Sequence, residues 1–220
     1  MRRYVDLSHT LHDGLVTYKG VPGPVICDFL SREDSRAHYA AGGTEFLISR
    51  IDMVANSGTY IDCPFHRYSD GEDLSEVGLD RFADLSAVVV RAPHREGLEV
   101  GPDRFHGLDV AGKAVLIHTG WSEHWSTPTY LDDHPFLTQE AAESLRGRGA
   151  VLVGIDSHNI DDTRGRNNRP VHTILLRHGI LIVEHLTGLE QLPDEDFAFS
   201  AIPPKVRGMG TFPVRAFAQL

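Results

Sequence analysis

At 220 residues, 41% of them hydrophobic and 24% charged, the chain fits one domain, 1–220, around one core. No stretch of it reaches the roughly 20 apolar residues that a membrane-spanning helix needs. A formal net charge of −10, with scattered arginines, repels a phosphate backbone and excludes nucleic acid as a partner. Two cysteines, Cys27 and Cys63, are too few for a disulfide framework and match no thiolate metal site, so both read as reduced thiols; the opening MRRYVDLSHTL does not read as a secretory signal, and a cytoplasmic protein is expected.

In chain order, Tyr4 to Leu7 predicts a short strand, and Leu15 to Pro24 (LVTYKGVPGP) a Gly/Pro loop able to cover a cleft. Glu45 to Ala55 (EFLISRIDMVA) is rich in Ile, Leu, Val and Phe and predicts a largely buried strand. Ala87 to Arg91 (AVVVR) and Ala114 to His118 (AVLIH) are β-branched runs bounded by turn residues, as central strands are. Thr138 is placed to cap a helix over Gln139 to Arg146, ended by Gly147 or Gly149, and Ala150 to Asp156 predicts the next buried strand. Pro170 suits the first turn of a helix over Val171 to His178, stopped by Gly179 and followed by a strand over Ile180 to Glu184. This strand–helix–strand rhythm gives an α/β fold class with parallel pairing in the second half.

Thirteen histidines are the compositional outlier, and imidazole is both a proton shuttle near neutral pH and a common metal ligand. Those in polar stretches, such as His94, His106 and His124, read as solvated loop residues. The densest polar cluster is Asn56 to His66, NSGTYIDCPFH. If the segment from Tyr60 is extended, Tyr60, Asp62, Pro64 and His66 share one face at period two. A metal or proton-transfer site and a capped surface turn both fit that spacing. The second cluster is His172 with Glu184 twelve residues on, at the carboxyl end of an apolar strand, where open α/β sheets place ligand groups. An ionised carboxylate there needs a cation, a donor or solvent. Asp156 raises the same question, whereas Asp161 and Asp162 read as loop charges.

These residues resemble the metal-dependent formamidase/cyclase family, which includes bacterial kynurenine formamidase and isatin hydrolase. Its signature H-x-G-T-H-x-D-x-P-x-H aligns with Asn56, Gly58, Thr59, Tyr60, Asp62, Pro64 and His66. DLSHTL at Asp6, HTGW at His118, HPFLTQEAA from His134, GIDSHNID at Gly154, the His172/Glu184 pair and GTFPVRA at Gly210 follow in family order. The resemblance implies a swivelling β/β/α-type fold, a homodimeric core, and hydrolysis of small amide or lactam bonds at one or two metal ions, commonly zinc or manganese. By position it makes Asp62, His172 and Glu184 metal ligands and His66 the proton carrier.

Two motif histidines are replaced, by Asn56 and Tyr60, and neither an amide oxygen nor a phenol of pKa near 10 substitutes for imidazole. One divalent ion, Zn or Mn, on Asp62, His172 and Glu184 is the first reading. The second is a metal-free cyclase, isomerase or dehydratase in which His66 is the base, Tyr60 the acid or oxyanion donor, and Asn56 a donor to the substrate. A non-catalytic small-molecule binding protein is the third. The family's flat ring substrates imply an aromatic lining from Trp121, Trp125, Phe136 and Phe212, for which core or dimer-interface packing is the competing explanation.

Overall fold

The β-branched runs of the sequence lie side by side at the centre of a curled nine-stranded sheet. The strands are β1 (Tyr4–Asp6), β2 (Val25–Leu30), β3 (Ile48–Asp52), β4 (Tyr60–Asp62), β5 (Leu85–Arg91), β6 (Glu99–Val100), β7 (Ala114–His118), β8 (Phe136–Leu137), β9 (Leu152–Ile155), β10 (Leu181–Glu184), β11 (Phe197–Ser200), β12 (Thr211–Pro213) and β13 (Phe217–Gln219). The helices are α1 (Arg32–Ser35), α2 (Gln139–Gly147) and α3 (Pro170–Arg177). The computed structural model describes residues 2–39, 43–165 and 168–220.

The sheet runs β1-β13-β11-β5-β7-β9-β10-β4-β12. β5, β7, β9 and β10 are mutually parallel, with Val88 opposite Val115, Val115 opposite Val153, and Val153 opposite Ile182. A parallel block must be covered on both faces, and here it is. On β7, Ala114 and Leu116 point into one apolar cluster with Phe82, Phe199 and Leu186. Val115 and Ile117 point into the other, with Leu145 of α2 and Val171 and Leu175 of α3. Each Val, Leu, Ile or Phe side chain among them, fully buried, contributes about 1.5–3 kcal/mol relative to an exposed one.

The mixed α/β class and most of the expected elements are present. Thr138 caps α2, its hydroxyl accepting from the Ala141 amide at 3.2 Å. α3 begins at Pro170, where the missing amide proton leaves no helical bond unmade. Cys63 is buried and Cys27 exposed, and they are not bridged. Among the described residues no helix is long and apolar enough to cross a membrane.

One expectation is overturned. The run 45–55 is not a buried strand: only Ile48–Asp52 is extended, it pairs with β2 alone, and every residue of it is exposed. Among the described residues its apolar side chains have no second layer to pack against.

Candidate active site

Strand register assembles the site. β4 lies between β10 and β12, so Tyr60 is opposite Glu184 on one side, and Asp62 is opposite Thr211 on the other. Tyr60 and Asp62 share a face at period two, as expected from the sequence. The extended segment stops at Asp62, however. Pro64–His66 form a 3-10 turn closed by the His66 amide on the Cys63 carbonyl at 2.9 Å, and it is this turn, not strand alternation, that aims His66. The turn lies against Gly210, where a Cβ would sit 2.4 Å from His66 Cα, so only glycine fits.

His172 reaches the site from the first turn of α3. Asp161 holds it: its carboxylate accepts from the Val171 amide at 2.8 Å, the His172 amide at 3.0 Å and His172 Nδ1 at 2.6 Å. That bond turns Nε2 towards Asp62 Oδ2 and Glu184 Oε1, each 3.6 Å away. Burial disfavours a charged imidazole, but Asp161, Asp62 and Glu184 override it and push the His172 pKa up to about 10. Asp62 is fully buried, and among the described residues its Oδ2 has no hydrogen-bond partner. An orphaned buried carboxylate oxygen is costly unless a cation completes it. Donors about 2.0–2.2 Å from a tetrahedral ion lie roughly 3.4 Å apart, a spacing that the 3.6 Å separations of His172 Nε2 from Asp62 and from Glu184 match pair by pair. Asp62, His66 and His172 also offer ligand atoms within 4.8 Å of one another.

Glu184 is satisfied from below. Its Oε1 accepts from the Ile160 amide at 2.7 Å. Its Oε2 accepts from the Tyr60 hydroxyl and from Asn159 Nδ2 at 3.4 Å; the Tyr18 oxygen lies 3.1 Å from it and 2.5 Å from the Tyr60 oxygen, so the single Tyr18 proton is donated to Tyr60. Burial, then the Glu184 charge, pushes both phenols well above their usual pKa, so they stay protonated donors. Burial likewise raises the Glu184 carboxyl, opposed by His172. Beneath this layer His185 is packed among Tyr130, Trp125 and His158. Burial holds His185 far below its usual pKa and His158 at about 3.

His66 stands at the opposite edge, a third exposed, facing a cavity of about 540 Å³ lined also by Arg67, Asn159, Asn168, Arg169, His172 and Thr173. The Thr211 hydroxyl donates to Asp62 Oδ1 and lies 2.7 Å from His66 Nδ1. Since its one proton goes to the carboxylate, the Thr211 oxygen accepts from Nδ1–H, which leaves Nε2 of His66 with a free lone pair.

Tyr60, Asp62, His66, His172 and Glu184 are thus brought together, while Asn56 is half-buried in the turn before β4. The expected aromatic wall is not among the cavity-lining residues. Trp121 is buried elsewhere, its Nε1 donating to the Tyr130 carbonyl at 3.3 Å, and Trp125 stacks on His9. Phe136 lies under Arg164, and Phe212 packs on the core. Tyr60 itself is 1% exposed, with its hydroxyl spent on Glu184, so it does not present a proton to the cavity.

Asp161, read as a loop charge, is fully buried and orients His172. Its place eleven residues before His172, just past a strand end, was a usable signal; Thr211 and Tyr18 carried none beyond residue type. Asp156, whose role was open, accepts from the Thr119 amide and hydroxyl and the Gly120 amide, and so ties down a turn.

A family profile described as "Putative cyclase" matches residues 5–162. Among curated proteins, the chain is 27% identical to kynurenine formamidase of Bacillus cytotoxicus, across 97% of this chain and 95% of that one. It is also 27% identical to the Geobacillus thermodenitrificans enzyme of the same name, across 98% and 97%. Among solved structures, isatin hydrolase A from Ralstonia solanacearum superposes with a TM-score of 0.83 at 25% identity, covering all of this chain and 92% of that one. A structure titled as a potential metal-dependent hydrolase with cyclase activity gives 0.81 at 23%, covering 100% and 98%. With more than half its length matched by the profile, the chain belongs to the putative cyclase family.

Proposed function

We propose that this protein is a hydrolase that opens an amide, lactam or lactone bond of a small molecule, using one divalent ion held by Asp62, His172 and Glu184. The observation that carries the reading is the orphaned Asp62 Oδ2 facing His172 Nε2, with Glu184 Oε1 beside the same nitrogen. When bound, the ion supplies Lewis-acid polarisation of the scissile carbonyl and lowers the pKa of an attacking water.

The chain's own residues do the rest. Asp161 keeps Nε2 of His172 pointing inward, the orientation such histidines receive from carboxylates. The Asp62–Thr211–His66 chain leaves His66 Nε2 free to take a proton from water and return it to the leaving nitrogen or oxygen. Tyr60 occupies the other side of Glu184 as a donor, backed by Tyr18, which supports one ion rather than two. The amide-cleaving names of the relatives support the reaction class.

A metal-free cyclase or isomerase keeps one specific support, that a His172 cation would itself neutralise the two carboxylates. Metal analysis of protein purified without added ions separates the readings: the hydrolase requires about one tightly held ion per chain, and chelation must abolish turnover of N-formyl anilides and lactams. Full activity after chelation would sink it. In the loaded enzyme His66→Ala should lose about 10²-fold or more in kcat with the fold intact; unchanged kcat removes His66 from the mechanism.

A further inference from the structure

His94 and His124 lie in loops, as expected, but both are only partly exposed and they stand together. His94 opens a 3-10 turn, His94–Glu96, just after β5, and Trp121–His124 form another just after β7. The two turns lie side by side. His94 and His124 have ring centroids 5.6 Å apart, and the Trp121 indole stands edge-on to both, at 5.2 and 4.6 Å.

The turns are held before any ligand arrives. The Thr119 carbonyl accepts from the His94 amide at 2.8 Å, and Asp156 clamps the Thr119 and Gly120 amides at 2.7 and 2.8 Å. The same carbonyl lies 3.1 Å from His94 Nδ1. A carbonyl can only accept, so Nδ1 carries the proton, and in the neutral ring Nε2 presents a lone pair. That lone pair faces Glu123 Oε1 at 3.6 Å, and His124 Nε2 is 3.5 Å from the same oxygen. Two imidazole nitrogens and a carboxylate oxygen converging in this way offer a cation a set of donors. Ligand atoms of all three side chains fall within 4.8 Å of one another. The 3.6 and 3.5 Å separations from Glu123 Oε1 match the roughly 3.4 Å between neighbouring donors on a tetrahedral ion. A carbonyl-anchored imidazole is also how metal-binding histidines are commonly oriented.

We propose that His94, Glu123 and His124 form a second divalent-cation site, separate from Asp62, His172 and Glu184. Two imidazoles and one carboxylate suit Zn²⁺ or a similar borderline ion better than Ca²⁺ or Mg²⁺. His94 and Glu123 line a cavity of about 300 Å³ with Arg91, His118 and Gly120, which gives an ion access and leaves room for water as its remaining ligand. A bound ion would join the loops that follow two adjacent parallel strands, so it should stabilise the fold without entering the reaction.

The test is a zinc titration of chelator-stripped full-length protein, read with a chromogenic competitor. The His94→Ala/His124→Ala double variant should bind one ion fewer per chain than the wild type, whatever the count at Asp62. In an Asp62→Asn background one ion should remain, and be lost on adding the double change. If the wild type binds one ion, and Asp62→Asn loses it, the second site is refuted while the proposed function stands. If Asp62→Asn still binds its one ion and the double variant binds none, the reverse holds. Because Glu123 is 63% exposed, Glu123→Gln should fold normally and weaken this ion at least about tenfold. Equal affinity in Glu123→Gln and wild type, or a site weaker than about 1 mM, overturns the proposal. Zinc should also raise the melting temperature of Asp62→Asn, and this rise should vanish with His124→Ala, whose turnover otherwise matches wild type.

Discussion

β10 and β3 look alike as sequence and end in opposite environments. Both come from apolar runs, ILIVE and EFLISRIDMVA, yet β10 is buried at every position and β3 exposed at every position. β10 has strands on both edges and α3 packed across one face, whereas β3 pairs only with β2. Burial is set by what a strand has to pack against, and apolar content alone does not report that. The contrast extends to charge: β10 can carry Glu184 inside because the Tyr60 hydroxyl, the Ile160 amide and His172 surround the carboxylate, in line with the rule that buried charges are paired.

Substitutions along this contrast should fall in a definite order. The largest effect on stability is expected at Ile182→Ala. Ile182 is fully buried, sits opposite both Asp62 and Val153, and belongs to the cluster beneath α3. Loss of about 2–5 kcal/mol in urea unfolding follows from the cavity left behind; a loss near zero would mean the two strands do not differ as described.

Next comes Asp161→Asn. It removes a charged acceptor from His172 Nδ1 and from two amides at the start of α3, a change of about 1.5–3 kcal/mol. It should also weaken the ion at Asp62 and His172 by about 10–100-fold, as loss of an orienting carboxylate does. Unaltered metal affinity would show that Asp161 only caps the helix. Tyr60→Phe should be milder, about 1 kcal/mol, because Tyr18, Asn159 and the Ile160 amide still reach Glu184. The bound ion should stay; its loss would make the phenol a ligand, against the burial and Glu184 charge that keep it protonated.

The sequence was most legible where local chemistry and tertiary packing agree. Thr138 before α2 sets a helix boundary through a bond to an amide three residues on, and Pro170 at the start of α3 through its fixed φ and missing amide proton. AVLIH could be read as a central strand because its residues alternate between two apolar clusters. The site was readable only in part. Asp62, His66, His172 and Glu184 were singled out by residue type, position and family resemblance. Asp161, Thr211 and Tyr18 were not, because each acts through a bond that closes only on folding. Thr211 meets Asp62 and His66 across about 150 residues, and Tyr18 reaches Glu184 from a loop 166 residues away. Of the two explanations open for the aromatic residues, packing is the one the geometry matches: Trp121 and Trp125 stand against neighbouring rings, and the cavity is lined by imidazole, amide and guanidinium groups.

The smallest effect is expected at Ile51→Ala, and it tests the contrast from its other end. Ile51 is 54% exposed and lies opposite Ile26 in the two-stranded β2–β3 sheet. Truncating it removes apolar surface that water already reaches, so no closed cavity forms and the transfer term is mostly absent. Surface changes of this kind fall within about 0.5 kcal/mol, several-fold below Ile182→Ala, although both delete the same group from the same residue type. Urea midpoints of the two variants, measured at several protein concentrations, give the ratio directly. A loss of more than about 1.5 kcal/mol at Ile51 that grows with protein concentration would mean another surface covers this hairpin in solution, and β3 would then be buried after all, by a neighbour outside the chain.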